Sequence, residues 1–522
     1  MDFFKLNALL DECFASAWKS RLFLFFSGAI YPLGFSPLGW WPLTFVSLLP
    51  LLISLTRPGV LTPFKRGYYW GCGAFLIGAS WVYVSIHEFG YVPVVGAAFM
   101  TLAFVAYLAI YKGIFAYLCV KLMWLSDKHW LIFIAPMCWL LSEFLQAAVF
   151  GGFPWLIAGY SQTDAGLGPV ASWLGVYGVS WLIIAISVCL TGLFDATQQV
   201  GKPRKAAFTA LLILLGVAIV ANIDERRTDK IRFADHTVKV ALVQPNVPQE
   251  QKWDRRYFSQ IVDILYQETT PHWGVDFLIW PEGAIPAYAH QVTDILHDLK
   301  KEGQQNHTQL LVGIPELERQ TDRSYVALKA LGSQSQTYYK QVLVPFGEYV
   351  PLENWLRGVI KFLDLPMSGF TPGDSQQTAM QFNQASIIPA ICYEIVYPEI
   401  IRGLSASADP ALPQLIVTVS NDAWFGDSLG PYQHMQMARM RSLELGMPLI
   451  RSTNDGITAV IDRHGRFLEK LPRYQQASLA FTLSLENRIT LYRRFGYIGI
   501  LSLCGLSALF ILWSIAIKRG KK

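Results

Sequence analysis

The 522-residue chain is 52% hydrophobic and only 16% charged, with 17 Trp, which is the composition of a membrane protein with room for more than one domain. Its formal net charge of +5 is too small to indicate a nucleic-acid partner, so the placement of the charges matters more than their sum.

Residues 1–20 lack the marks of a cleavable signal peptide, because Asp2, Asp11 and Glu12 are acidic and no small-residue cleavage site follows. From there the chain alternates apolar runs with short polar punctuation. The hydropathy predicts spans near 20–35, 42–56, 67–86, 91–118, 130–150, 168–194 and 206–222, and a last one near 495–517, about eight in all. An untilted crossing takes ~20 residues, so the first two runs are short enough to form a tight hairpin.

The basic residues fall on alternate connections. Lys5, Lys19 and Arg21 precede span one, Arg57, Lys65 and Arg66 follow span two, and Lys121 and Lys128 follow span four. Lys202, Arg204 and Lys205 follow span six, and Lys518, Arg519, Lys521 and Lys522 follow the last. The connections near 36–41, 87–90 and 151–167 contain neither Lys nor Arg. The positive-inside rule then predicts cytoplasmic termini and a 223–494 domain on the opposite face. Lys112 lies inside the fourth span; it is expected to snorkel to the cytoplasmic interface, with an internal polar cavity as the alternative. Trp155 and Tyr160, in the loop after span five, read as interfacial anchors rather than ligand contacts.

From Val238 the pattern changes to short β-rich runs: Val238–Gln244, Asp276–Trp280, Leu310–Gly313, Tyr325–Leu331, Thr337–Val344, Ile387–Cys392, Leu415–Ser420, Gly456–Asp462 and Ala477–Leu483. Helix-like stretches lie at Arg255–Thr269, Thr293–Glu302 and Gln433–Leu445. Several strands are apolar on consecutive residues, as in sheets covered on both faces. These features predict a layered α/β domain, and a chain divided into a transmembrane domain 1–222, an α/β domain 223–494 and a final span with a basic tail, 495–522. No glycine-rich phosphate loop, HExxH or CxxC occurs, so neither a cofactor nor a metal is expected.

Of the seven cysteines, Cys392 alone lies between roughly Asp224 and Arg494. It ends the apolar run Ser386–Ile391 and opens a stretch with helical spacing. A thiol at such a turn meets unpaired backbone N–H groups and a helix dipole, and both favour thiolate. Set against that is the usual fate of a free cysteine as a small buried apolar residue; this segment alone leaves both readings open.

Two other polar groups also stand where strands end. Asp276–Pro281 leads to Glu282, and Thr337–Tyr339 leads to Lys340, with Glu348 downstream. Strand ends beside loops are where α/β proteins gather reactive groups. A carboxylate, an ammonium and a thiol suffice for acyl transfer. Singly, each has a plainer reading: a solvated turn acid, an edge-strand lysine, a surface carboxylate. Glu316, in similar sequence, rivals Glu282.

Taken together, the order Trp-Pro-Glu282, Tyr-Tyr-Lys340 with Pro-Phe-Gly-Glu348, and Ile-Cys392-Tyr-Glu394 resembles the nitrilase superfamily of carbon–nitrogen hydrolases. Seven spans, such a domain and one further span are similar to the apolipoprotein N-acyltransferase family. Phe153–Trp155, Gln251–Trp253, Pro345–Glu353, Asp364–Ser368, Val419–Gly426 and Arg451–Thr458 carry the likeness along nearly the whole chain. The resemblance implies a polytopic α-helical membrane domain joined to an α/β nitrilase-like αββα sandwich. It also implies a catalytic set of Glu282 as general base, Lys340 as oxyanion stabiliser and Cys392 as nucleophile, with Glu348, Tyr393 and Glu394 as auxiliaries. Trp253 matches a tryptophan on a mobile loop, and Phe346, Trp424 and Phe425 join it as candidate substrate-binding residues. The chain departs from the pattern at Val326, where the family often has Asn.

The resemblance further implies a monomer in the bacterial inner membrane, its catalytic domain periplasmic, working in the last step of lipoprotein maturation. Its partners would be a phospholipid acyl donor, a diacylglyceryl apolipoprotein acceptor and the bilayer. The apolar stretch Val344–Phe370 reads equally as a lid or as a loop resting on the membrane. Two rivals are a membrane-tethered amidase, which leaves the large apolar domain unexplained, and a transporter, which sits poorly with so few ionisable residues in the spans.

Overall fold

Each apolar run between residues 17 and 225 closes its own backbone hydrogen bonds and forms a helix. The structure, a computed structural model, describes residues 3–126, 131–194, 202–227, 231–345, 347–349 and 369–520. Two units separate: residues 1–83, 93–227 and 495–522 form one, and residues 84–92 and 228–494 form the other.

Among the described residues of the first unit five helices are long and apolar enough to cross a membrane: Val94–Leu125, Leu131–Gly151, Gly168–Leu193, Arg204–Glu225 and Ile498–Arg519. Val94–Leu125, at 1.5 Å per residue, is about 48 Å long, so it must tilt or project beyond a ~30 Å hydrocarbon layer. A sixth candidate is bent by 55° between Pro63–Gly78 and Trp81–Phe89. The first two expected spans are the shorter helices Ala17–Ile30 and Pro42–Thr56, and Ser47 Oγ donates to the Ser27 carbonyl at 2.6 Å between them.

Lys112 does not snorkel. It is 2% exposed, with Nζ 4.4 Å from the Trp139 ring centroid and 3.4 Å from Ser142 Oγ. Glycines bring its helix too close to a neighbour for the side chain to escape: a Cβ on Gly67 would lie 2.0 Å from the Lys112 carbonyl oxygen. Beside it, Glu143 accepts from Trp139 Nε1 at 2.7 Å and from the Ala158 N–H at 2.8 Å. The loop expected to anchor at the interface is likewise inside the unit, with Trp155 and Tyr160 at 0% and 1% exposure. Gln146 Nε2 holds it by donating to the Phe153 and Trp155 carbonyls.

The described residues of the second unit form fourteen strands: β1 Ile231–Arg232, β2 Thr237–Gln244, β3 Phe277–Ile279, β4 Gln309–Glu318, β5 Arg323–Leu331, β6 Thr337–Tyr339, β7 Met380–Gln381, β8 Ser386–Ile391, β9 Gln414–Ser420, β10 Leu449–Thr453, β11 Ala459–Ile461, β12 Phe467–Lys470, β13 Ala477–Ser484 and β14 Asn487–Arg488. They form two six-stranded sheets, β13-β2-β3-β4-β5-β6 and β12-β11-β10-β9-β8-β7, with β1 paired to β14. Strands β2 to β4 run parallel, as do β8 to β10, and the flanking pairs are antiparallel. Every residue of β3, β8, β9 and β10 is buried. Ala241 and Val243 pack with Ile261 and Leu265 of the helix Phe258–Thr269 and with Leu299 of the helix Thr293–Gln305, while on β10 Ser452 Oγ donates to the Val243 carbonyl in the other sheet. Helix, sheet, sheet and helix thus stack as layers.

Three differences from the expected elements have physical causes. β10 was not among the expected strands because its polar half, Arg451–Thr453, hides a short apolar run. The strand expected over Thr337–Val344 stops at Tyr339, since the Gln341 and Val342 N–H groups turn to the Glu394 carboxylate. Residues 84–92, expected within the first unit, group with the second; they include a turn of π-helix, Ser85–Phe89.

Candidate active site

The reactive groups converge because strands of both sheets, β3 and the edge strand β6 in one and β8 in the other, deliver their ends to one place. β3 runs through Trp280 and Pro281 into Glu282. Gly313 on β4 makes room, since a Cβ there would lie 2.3 Å from the Pro281 carbonyl oxygen. Lys340 follows β6, with its N–H on the Val326 carbonyl at 2.8 Å; Val326, the departure from the resembled pattern, is itself 4% exposed.

Lys340 Nζ lies 3.0 Å from Glu282 Oε1 and 2.6 Å from Glu348 Oε1, and its side chain is fully buried. The other Glu282 oxygen accepts the Asn421 N–H at 3.0 Å, and Glu348 Oε2 accepts the Val344 N–H at 2.8 Å. Burial alone would lower the Lys340 pKa, but the charges of Glu282, Glu348 and Cys392 outweigh it and hold the ammonium well above its ordinary value. Burial pushes Glu348 upward against the pull of Lys340.

Cys392 follows β8 in a left-handed backbone conformation, φ +53°, which costs a non-glycine residue roughly 1–2 kcal/mol. Burial first and the Glu282 carboxylate second push its thiol well above the usual range, and Lys340 only partly offsets them. Of the two readings the sequence left open, a resting thiolate is the one this argues against. The helix after Cys392 is a five-residue 3₁₀ turn, too short to supply a useful dipole. The thiol therefore rests protonated and needs a base.

Glu394 ties this turn to the lysine loop. Its Oε2 accepts the Ile391 N–H at 2.7 Å, and its Oε1 accepts the Tyr338 hydroxyl at 3.0 Å and the Gln341 N–H. Burial pushes this carboxyl up to about 7. Tyr393 is 6% exposed and packs edge-on against Tyr397 at 5.4 Å. Glu316 goes elsewhere, to Lys329 Nζ at 2.8 Å and the Tyr339 hydroxyl at 3.2 Å.

Trp253 lies beside Gly283, with Cζ2 3.8 Å from where a Cβ there would stand; its Nε1 has no hydrogen-bond partner among the described residues. Trp424 packs edge-on against Phe89 at 5.8 Å, and its carbonyl accepts the Ser85 hydroxyl at 2.7 Å. The Phe425 ring lies 5.9 Å from that of His434. Phe346 and most of the stretch expected as a lid, 350–368, lie outside the described residues.

Sequence reasoning passed over several neighbours. Lys252 is 3% exposed, donates to the Glu282 carbonyl at 3.1 Å and is brought down by burial to about 8. Asp455 is pushed up to about 6, chiefly by burial. Lys252 and Asp455 stand in Gln251–Trp253 and Arg451–Thr458, motifs that carried the resemblance without suggesting these roles. His434 had no signal beyond its place on an expected helix. Among the described residues no cluster of three or more His, Cys, Asp or Glu could hold a metal.

Comparison with known proteins accounts for both units. The family model for the apolipoprotein N-acyltransferase N-terminal domain matches residues 27–189, and that for carbon-nitrogen hydrolases matches residues 239–491. The apolipoprotein N-acyltransferase of Azotobacter vinelandii is 37% identical over 513 residues, 97% of this chain and 96% of its own. That of Vibrio parahaemolyticus is 37% identical over 508 residues, 95% of this chain and 97% of its own. Among solved structures, Saccharomyces cerevisiae Nit3, a member of branch 10 of the nitrilase superfamily, is 15% identical with a TM-score of 0.36, covering 48% of this chain and 92% of its own.

Proposed function

The chain belongs to the apolipoprotein N-acyltransferase family, and on that premise we propose that it carries one fatty acyl chain from a phospholipid, through a thioester on Cys392, to the α-amino group of an apolipoprotein's S-diacylglyceryl cysteine. Glu282 takes the thiol proton as sulfur attacks the ester carbonyl. Of the three Lys340 N–H groups, two go to Glu282 and Glu348, and the third faces the oxyanion of the tetrahedral intermediate. Collapse expels the lysophospholipid alkoxide, which takes the proton back from Glu282. In the second half, the free amine attacks the thioester, Glu282 removes its proton, and the departing thiolate recovers one.

One observation carries this reading: a fully buried ammonium held between two carboxylates beside a thiol that their charges perturb. The donor ester is the sn-1 position of phosphatidylethanolamine. The alternating basic connections of the sequence support cytoplasmic termini and a periplasmic 223–494 domain in the inner membrane, where both lipid substrates reside. Trp253 and Trp424 line the approach to the thiol, and the enzyme works as a monomer. Because amine must outcompete water for the thioester, the site excludes solvent during the second half.

Mass spectrometry of the purified protein after mixing with phosphatidylethanolamine tests the reading. The expected result is one added acyl mass on Cys392 and release of lysophospholipid, both absent in Cys392→Ala. Ammonia release from a soluble amide with no acyl adduct would favour an amidase instead.

A further inference from the structure

The left-handed turn at Cys392 persists only if its surroundings hold it. Glu394 holds the side before it, through the Ile391 N–H. His434, on the buried helix Gly430–Leu445, holds the side after it. Its Nε2 lies 3.1 Å from the Cys392 carbonyl oxygen. A carbonyl oxygen only accepts, so the ring proton must sit on Nε2.

The other ring nitrogen explains why it does. His434 Nδ1 lies 2.9 Å from Arg451 Nη2 and 3.1 Å from Asp422 Oδ1. Burial and then the Arg451 charge hold the imidazole below its ordinary pKa, against the opposing pull of Asp422. The ring is therefore neutral, and its Nδ1 lone pair takes the Arg451 N–H. Arg451 in turn grips Asp422 at 2.9 and 3.0 Å, and Asp422 also accepts the Ser420 hydroxyl at 2.7 Å. His434, Asp422 and Arg451 are 1%, 0% and 0% exposed.

This is a poor arrangement for stability alone. A buried ion pair is often no better than an apolar replacement, and Arg451 Nε and Nη1 have no hydrogen-bond partner among the described residues. Gly456 is kept bare for it, since a Cβ there would lie 2.4 Å from Asp422 Oδ2. The chain of contacts ends on the backbone of the cysteine.

We propose that His434 is a positioning residue for the nucleophile: its Nε2–H fixes the Cys392 carbonyl, and with it the turn that aims the thiol toward Glu282 and Lys340, while Arg451, itself held by Asp422, donates to Nδ1 and so keeps the ring in the neutral tautomer that can donate to that carbonyl. His434 touches no reacting atom. The inference rests on the reading of Cys392 as the acyl-accepting nucleophile.

The full chain in detergent, mixed with phosphatidylethanolamine, supplies the test, with acylation of Cys392 followed over time by peptide mass spectrometry. His434→Gln carries an amide N–H near the position of Nε2, whereas His434→Asn reaches only as far as Nδ1. His434→Asn should acylate roughly 10- to 100-fold more slowly at saturating phospholipid, with the half-saturating concentration within ~2-fold of wild type. His434→Gln should recover to within ~5-fold, as expected when the lost element is one donor. Asparagine acylating like wild type, or both variants losing rate equally in step with a lowered thermal midpoint, would overturn the proposal. If neither variant folds, ¹⁵N-histidine NMR of the wild-type protein decides: a neutral ring protonated on Nε2 supports it, and a proton on Nδ1 sinks it. Failure of the nucleophile reading is separately visible, as an acyl adduct that persists in Cys392→Ala.

Discussion

Glu348→Gln isolates what a second carboxylate does for the buried lysine. In the wild-type site Glu348 Oε1 meets Lys340 Nζ at 2.6 Å and Oε2 meets the Val344 N–H at 2.8 Å. Glutamine keeps the shape and one acceptor but removes the charge. The ammonium stays a charged donor to the amide oxygen, but taking the opposite charge out of a bond that contributes ~1.5–3 kcal/mol removes about 1–2 kcal/mol of restraint. At 1.36 kcal/mol per decade, acylation of Cys392 should slow roughly 5- to 30-fold if that restraint is needed in the transition state. The Val344 N–H meets an NH₂ instead of an oxygen, and that loss should appear separately as a lowered thermal midpoint. The assay is the single-turnover rate of lysophospholipid release from labelled phosphatidylethanolamine. Glu316→Ala is the control, because that carboxylate is engaged with Lys329 and Tyr339; it should stay within ~2-fold of wild type. If Glu348→Gln keeps the wild-type rate, or Glu316→Ala loses as much, the assignment of the second carboxylate is wrong.

Glu282→Gln should lower two measurements together. Acyl transfer should fall ~10²- to 10⁴-fold with the loss of a general base, while the pH midpoint for alkylation of Cys392 by iodoacetamide drops, because burial is then no longer joined by the Glu282 charge in raising the thiol. An unchanged or higher midpoint would contradict this account of the thiol. Glu394 makes a second pH prediction. Burial raises it from 4.5 to about 7, so the folded state keeps a proton that the unfolded chain has already released. Its contribution to stability is therefore present at low pH and is lost as pH rises through that window. Measured against Glu394→Gln by thermal unfolding, the wild type should lose about 3 kcal/mol of relative stability between pH 4.5 and 7, whereas a gain would refute the assignment.

The strand ends that carry Glu282, Lys340 and Cys392 were legible because each polar residue interrupts an apolar run at a point where α/β sheets expose their tips. Other features were hidden because the deciding interactions are distant in sequence. β10 reads as polar until Arg451 is matched with Asp422. Lys112 reads as a snorkelling residue until Gly67 brings a second helix against its backbone. The thiol stays open between activated and merely buried until the shortness of the following turn and the nearby carboxylate are known. His434 meets the cysteine 42 residues away, through a backbone oxygen that no side-chain pattern announces.

The short π-helical segment under Trp424 bears on how this protein could ever be divided. Residues 84–92 are encoded between two apolar helices, yet they fold with residues 228–494. A gene fragment beginning after Arg227 would produce an α/β half without Ser85 and Phe89. It would leave the Trp424 ring without Phe89 and its carbonyl without Ser85, and a gap beside Gly426, where Val84 Cγ1 now stands 2.8 Å from the position a Cβ would take. Release of the hydrolase-like half by proteolysis or by gene fission would therefore leave behind a piece of that half, a barrier to its independent life in solution.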